Sequence, residues 1–303
     1  MAYDCVVTVK QVPDTKAVTV KAMKDDGTVN RSALPAIFNP EDLNALEAAL
    51  EVKETHGGSV TVISMGPPSA CEVLRQAFYR GADRVILLTD RRAAASDTLA
   101  TSYILNCAIR KLPKVDIVFC GRQAIDGDTA QVGPQLAEKL GLPQITYMEK
   151  LMELTDRRMV VRRNVGSGWE IVACRLPVLV TVCDGANVPR AAGAKSIMKY
   201  KRARAYVEVA QELAPPGKLD DPQVQKEIER RLADLKSKGL LIEQWNLDDI
   251  DADLNWCGRD GSPTKVHRIQ SVVLKGTGHK QFPPTDEGVR EVIHELIEDR
   301  TLG

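Results

Sequence analysis

Four short runs dominated by Val and Ile, at Asp4 to Lys10, Ser59 to Ser64, Arg84 to Leu88 and Val115 to Cys120, alternate with longer stretches of helical period. That alternation is the pattern of a parallel sheet with crossover helices, because parallel strands cannot be joined by tight turns. The richness in Val and Ile is what strands covered by helices on both faces require. The expected fold is therefore α/β: a parallel, twisted, Rossmann-like sheet with helices on both faces.

The intervening helices have legible ends. Asn39-Pro40 supplies an N-cap and a proline for the first helical position, Glu41 and Asp42 complement the helix dipole, and Leu43, Leu46 and Leu50 mark one apolar face. Ser69 and Glu72 have the spacing of a capping box, opening a helix that runs to about Arg80 and stops at Gly81. A third helix is expected after Ser96-Asp97-Thr98, with Leu99, Tyr103 and Ile104 toward the core. A fourth is expected from Thr129 to Gly141, ahead of Pro143.

From Gln144 to Cys183 the texture changes to shorter β segments, I-T-Y-M, M-V-V-R-R, W-E-I-V-A-C and V-L-V-T-V-C, which either extend the sheet or add an antiparallel edge. Residues 1–188 thus read as one α/β domain. Residues 189–303 are rich in Arg and Lys and interrupted by Pro and Gly, so a C-terminal arm is expected rather than a second core. Within it Asp221-Pro222 opens a helix over 221–238 whose Val224, Ile228, Leu232 and Leu235 share one face. That stripe packs either on this chain or on a partner, since periodicity does not distinguish the two.

Composition narrows the function classes. The 303 residues are 44% hydrophobic, enough for a sizeable core and at most two folding units. Lys plus Arg and Asp plus Glu number 41 each, so no net field draws the chain to nucleic acid or to an anionic membrane. No apolar run reaches the about 18 residues that suggest a membrane span, and M-A-Y-D-C-V-V-T-V-K lacks the charged start and cleavage site of a signal peptide. A cytoplasmic location is expected. The seven cysteines are dispersed without a C-x-x-C, and His56, His267, His279 and His294 lie among charged or loop residues, so no metal site is expected.

In a doubly wound sheet, ligands sit beyond the carboxyl ends of the strands. The segments there are Gln11 to Thr15, Met65 to Pro68, Asp90 to Thr101, and Gly121 to Pro134. The last, G-R-Q-A-I-D-G-D-T-A-Q-V-G-P, is the richest. Gly121 and Gly127 permit close backbone approach, and Thr129, Ala130 and Gln131 place N–H groups at a helix start that suits a phosphate or pyrophosphate. Asp126 and Asp128 repel phosphate; they either accept from sugar hydroxyls or backbone N–H groups, or merely cap the helix and close the turn. The absence of a Walker A sequence, of G-x-G-x-x-G and of G-x-S-x-G argues against a nucleoside triphosphatase, an ordinary dinucleotide dehydrogenase and an α/β-hydrolase.

Taken together, these loops resemble the beta subunit of electron transfer flavoproteins. The resemblance is carried in order by K-Q-V-P-D-T, F-N-P-E-D-L-N-A-L-E, V-I-S-M-G-P-P, S-D-T-L-A-T-S-Y and G-R-Q-A-I-D-G-D-T-A-Q-V-G-P, and resumes at Cys257 to Val266, C-G-R-D-G-S-P-T-K-V. It implies an adenine-nucleotide-binding domain that pairs with a larger alpha subunit carrying its own FAD. Asn39-Pro40-Glu41-Asp42, D-G-D-T and S-D-T-L-A-T-S resemble the bifurcating branch, whose beta subunit holds a second FAD reduced by NADH; the simple carriers hold AMP instead. By this resemblance the ligand is FAD, with AMP as the alternative. Its lining would be Thr8, Asn39, Asp42, Met65, Gly66, Thr98, Thr101, Arg122, Ala124, Asp126, Gly127, Thr129, Gln131 and Gly133. The flavin rather than a protein acid or base would carry the redox chemistry. A simple carrier subunit and a stand-alone adenylate-binding regulatory protein are the competing readings.

The family's recognition loop corresponds to 189–204, with Pro189, Arg190, Ala194, Ile197, Met198 and Lys199 as the expected docking residues. Ala191 and Ala194 stand where the family has larger side chains, so the anchor for an acyl-CoA dehydrogenase is missing. A different redox partner, with ferredoxin or flavodoxin among the candidates, is expected. Lys199, Lys201, Arg202 and Arg204 either steer an acidic partner or form a solvated face. The helix over 221–238 has no counterpart in the family pattern, and the tail is expected to embrace the alpha subunit.

Overall fold

The Val-rich runs become the centre of a nine-stranded sheet. The computed structural model describes residues 1–14, 34–215, 217–265 and 280–298; Thr15, Val266, His267 and His279 lie outside them. Strand β1 (Tyr3–Thr8) is followed by an antiparallel pair, β2 (Gln11–Pro13) and β3 (Ala36–Phe38). Then α1 (Pro40–His56), β4 (Gly58–Met65), α2 (Cys71–Arg80), β5 (Arg84–Leu88), α3 (Thr98–Arg110), β6 (Ile117–Gly121) and α4 (Val132–Leu140) alternate as expected. A meander of β7 (Gln144–Leu154), β8 (Arg158–Asn164) and β9 (Trp169–Arg175) leads into β10 (Val178–Val182). The remainder holds α5 (Ala194–Tyr200), α6 (Tyr206–Leu213), α7 (Pro222–Ser237), β11 (Glu243–Trp245), α8 (Gly258–Gly261) and α9 (Asp286–Glu298).

The strand order is β11-β5-β4-β1-β6-β10-β7-β8-β9, parallel from β11 through β7 and antiparallel at β8 and β9. Alternate side chains feed two cores. Val7, Val62, Phe119 and Val180 pack under α1 and α2, while Val6, Ile63, Val118 and Leu179 pack under α3 and α4. The chain winds outward from β1 through β4 to β5, then crosses to β6 on the other side of β1. The order therefore reverses between β1 and β6, where an open α/β sheet forms its ligand crevice.

Two helix starts differ from the expectation. Ser69 does not form a capping box: Pro68–Ala70 make a 3-10 turn, α2 begins at Cys71 without a side-chain cap, and the Ser69 hydroxyl instead donates to Gln11 Oε1 at 2.8 Å. Thr129 does not begin α4, which starts at Val132, because Asp128 (φ 56°) and Ala130 (φ 52°) occupy the left-handed region and break the helical path.

The segment expected as an arm contributes to the sheet. β11 pairs with β5 and is tied to it by Arg84, whose guanidinium donates twice to the Glu243 carboxylate at 2.6 Å. Ile228 and Leu235 of α7 are buried with Val209 and Ala210 of α6. Each such burial contributes about 1.5–3 kcal/mol, so the apolar stripe of α7 is occupied by this chain. At the far end of the sheet, β9 leaves Trp169 62% and Ile171 54% exposed. Among the described residues, no helix is long and apolar enough to cross a membrane.

Candidate functional site

The carboxyl ends of β1 and β6 are joined by the start of α1. Asn39, Glu41 and Asp42 are all buried, and each is used to hold the neighbouring loops. Asp42 accepts from Lys10 N at 2.8 Å and from Gly121 N at 3.2 Å, bridging the two strand ends. Asn39 donates to the Gln123 carbonyl at 2.8 Å and accepts from Ile125 N at 3.1 Å. Glu41 accepts from Gln123 N at 2.9 Å and from Arg122 Nη2 at 2.6 Å. Burial pushes the Asp42 carboxyl up to about 7, against the hydrogen bonds from Lys10, Asn39 and Gly121, and the neighbouring Glu41 pushes in the same direction as burial.

Gly121 is required by this junction. A Cβ there would press on the Asp42 carboxylate and lie 2.8 Å from Asp42 N and 2.9 Å from Glu41 C. Its close approach is to its own chain, whereas a Cβ on Gly127 would meet nothing within 4 Å. Gly133 has a similar internal duty, since a Cβ there would sit 2.6 Å from Thr181 Cγ2 and part α4 from β10.

The 122–131 loop is folded on itself. The Ala124 carbonyl accepts from Gly127 N at 3.1 Å and Asp128 N at 2.9 Å, and Gln123 Nε2 donates to Asp128. Asp126 pairs with Lys10 Nζ at 2.7 Å, so the charge that opposed an anion-binding reading is locally balanced. Arg122 is committed to Glu41, with its guanidinium 5.8 Å from the ring centre of Tyr147. Tyr147 itself has φ 60° at an irregularity in the β7 register and is anchored by its N–H to Thr181 Oγ1 at 3.0 Å.

On the opposite face of the sheet, α3 and α4 pack side by side with their N-termini at the same edge. Thr98 Oγ1 donates to Gln131 Oε1 at 3.0 Å, linking the two helix starts. The N–H groups of Thr98 and Leu99, and those of Val132 and Gly133, precede the first intrahelical bonds and have no acceptor within their own helices. Thr129, Ala130 and Gln131 N–H likewise make no hydrogen bond among the described residues. Thr101 follows Thr98 one turn along α3, and Met65 and Gly66 close the end of β4 beside β1. Thr8 ends β1, its hydroxyl against the Cys120 thiol; burial raises that thiol to about 12, too high for thiolate chemistry at neutral pH.

The expected residues therefore divide into two sets. Thr8, Met65, Gly66, Thr98, Thr101, Thr129 and Gln131 belong to the strand ends and helix starts around the crevice, whereas Asn39, Asp42, Arg122 and Ala124 brace the loop, and Gly133 seats α4. Lys10 and Glu41 were not among the expected site residues; the signal for Lys10 was its place immediately beyond β1.

The docking residues lie elsewhere. From β10 the chain runs down α1: Asn187 pairs with Asn44, and Arg190 Nε donates to Glu47 at 2.9 Å, with a further bond to Glu54. Gly193 N then donates to the Tyr79 carbonyl in the last turn of α2. Crossover helices end at the amino edge of a parallel sheet, so 189–199 sits opposite the crevice. Arg190 is an internal anchor there, while Met198 is 61% exposed on α5 and Tyr200 stacks on Phe78 at 4.6 Å.

Two helix N-termini and the strand ends gathered at a topological switch define a doubly wound α/β protein. Comparison with known proteins carries the assignment further. A family model described as the electron transfer flavoprotein domain matches residues 26–210. The electron transfer flavoprotein subunit beta of Clostridium acetobutylicum is 42% identical over 297 residues, covering 98% of this chain and 99% of that one. The caffeyl-CoA reductase-Etf complex subunit CarD of Acetobacterium woodii is 39% identical, with 96% and 95% covered, and protein FixA of Sinorhizobium fredii is 38% identical, with 96% and 91% covered. The chain belongs to the electron transfer flavoprotein family, among its beta subunits.

Proposed function

We propose that this chain is the NADH-facing subunit of a two-chain electron carrier, binding FAD by its adenylate and pyrophosphate over the ends of β1, β4 and β6. The observation that supports the reading is the pairing of two open helix N-termini, α3 and α4, at the switch point. The residues fit the group. Thr98, Thr101, Thr129 and Gln131 would meet the phosphates with N–H and hydroxyl donors, and the Lys10–Asp126 pair removes the repulsion that a lone carboxylate would impose. When bound, the flavin supplies a ring that accepts a hydride and releases electrons singly. Asn39, Glu41 and Asp42 keep the 122–131 loop in the shape that presents those donors.

The ring half of the site is completed by an alpha subunit, and electrons leave to partners other than an acyl-CoA dehydrogenase. The relative named as a caffeyl-CoA reductase-Etf complex subunit belongs, by that name, to a complex with a reductase, which supports an electron-transferring assembly. The small Ala191 and Ala194 of the docking loop, and the commitment of Arg190 to Glu47 and Glu54, favour a partner that does not need a large apolar anchor.

The test is flavin stoichiometry of the purified heterodimer together with its reduction by NADH. More than one flavin per heterodimer and rapid bleaching by NADH are expected. A single flavin accompanied by AMP, unreduced by NADH, would refute the proposal and leave the simple-carrier reading.

A further inference from the structure

The cap of α3 is held by a segment from the other end of the chain. Asp97 Oδ1 accepts from Ala100 N at 2.9 Å, the usual capping bond, while Oδ2 accepts from Thr264 N at 2.9 Å. The N–H of Asp97 donates to Ser262 Oγ at 2.9 Å. Ser262 is only 3% exposed, and its hydroxyl donates onward to the Gly258 carbonyl at 2.6 Å. Gly258 N donates to Ser96 Oγ at 3.0 Å; with φ 64° and no room for a Cβ beside the Arg92 carbonyl, this position admits glycine alone.

A carboxylate at a helix N-terminus competes with an anionic ligand in two ways. It repels the ligand's charge, and it can take the same N–H donors. In this structure both oxygens of Asp97 are occupied, one by the third N–H of α3 and the other by Thr264, outside the helix. The first two donors of α3, on Thr98 and Leu99, are thereby left for something else.

We infer that Ser262 and Thr264 are positioning residues for the phosphate end of the nucleotide site. Thr264 N holds Asp97 Oδ2 away from the first two N–H groups of α3, and Ser262 Oγ fixes the Asp97 backbone N–H, so that phosphate rather than the helix's own cap occupies those donors. The inference rests on the nucleotide reading proposed above. It assigns to the C-terminal segment a role in choosing phosphorylated over unphosphorylated adenosine ligands.

Titration calorimetry on the full-length heterodimer, stripped of bound nucleotide, with AMP and adenosine as probes, tests it. Wild-type protein is expected to bind AMP more tightly than adenosine. Ser262→Ala, which removes the acceptor of the Asp97 N–H and lets the cap residue shift, is expected to weaken AMP binding about 10-fold, while adenosine changes by less than about 2-fold. Thr264→Pro removes the second tether from an exposed residue and is expected to act in the same direction, deciding the matter should the buried substitution impair folding. Equal weakening of both probes, or unchanged AMP binding in the variants, overturns the inference alone. Wild-type protein that does not prefer AMP over adenosine overturns the nucleotide reading itself, and this inference with it.

Discussion

Replacing Gly121 by alanine places a methyl group at the most crowded junction of the site. The added Cβ would lie against the Asp42 carboxylate, 2.8 Å from Asp42 N and 2.9 Å from Glu41 C, and two of those three neighbours are backbone that cannot rotate aside. Overpacking of this kind costs about 1–3 kcal/mol. The shift that relieves it also lengthens the 3.2 Å bond from Gly121 N to Asp42, a buried hydrogen bond worth about 0.5–1.5 kcal/mol. A total of about 1.5–4.5 kcal/mol is expected, or a melting temperature lowered by about 5–15 °C for a chain of this size. Gly127→Ala is the control, since its Cβ would touch nothing within 4 Å. Differential scanning calorimetry of the heterodimer, followed by titration with AMP, reads both effects: Gly121→Ala should melt early and bind weakly, Gly127→Ala should do neither. A Gly121→Ala protein that melts within about 1 °C of wild type, or an equal loss in the control, would refute the steric argument.

Asp42 makes stability depend on pH. Its folded value of about 7 exceeds the ordinary 3.8, so the folded state holds the proton more tightly and this contribution is lost as the pH rises from about 4 to about 7, by up to about 4 kcal/mol. Urea titrations over that range should show the decline in wild type and a shallower one in Asp42→Asn; parallel profiles would contradict it. Lys10→Ala removes an exposed ion pair and should change stability by less than about 1 kcal/mol, yet lower AMP affinity several-fold because Asp126 loses its counter-charge; calorimetry separates the two. Arg190→Ala strands the buried Glu47 carboxylate and should cost about 2–4 kcal/mol in urea denaturation while leaving AMP binding unchanged.

The central strands were legible because Val and Ile on both faces of a short run leave few other structures available. The start of α1 at Pro40 was legible from the proline and the two acids after it, but the expected side-chain cap was not made: the Asn39 amide bonds Gln123 and Ile125 of the neighbouring loop instead. The start of α4 was not, since nothing in D-G-D-T-A-Q announces that Asp128 and Ala130 turn left-handed; the loop's contacts to Asn39 and Glu41 decide it. Ser69 had the right spacing for a cap, but Pro68–Ala70 form a 3-10 turn that moves the start of α2 to Cys71, and the Ser69 hydroxyl donates to Gln11 instead. β11 escaped notice because three residues, E-Q-W, carry no period. Its place comes from Arg84, 159 residues earlier. The same holds for the site: the loops to inspect followed from strand order, but which polar groups face a ligand and which brace the backbone depends on pairings such as Asp97 with Ser262, 165 residues apart.

The sheet ends differently on its two sides. At β11 the outer strand is clamped by an ion pair, and Trp245 lies under Lys111 at 4.9 Å. At β9 a seven-residue strand presents Trp169 and Ile171 to solvent along an outer edge to which no described strand pairs. An uncapped β edge with apolar side chains is a template for any passing strand. On its own, this edge would therefore be prone to self-association through β9, and the yield of soluble protein would depend on how often that edge is left open as much as on folding.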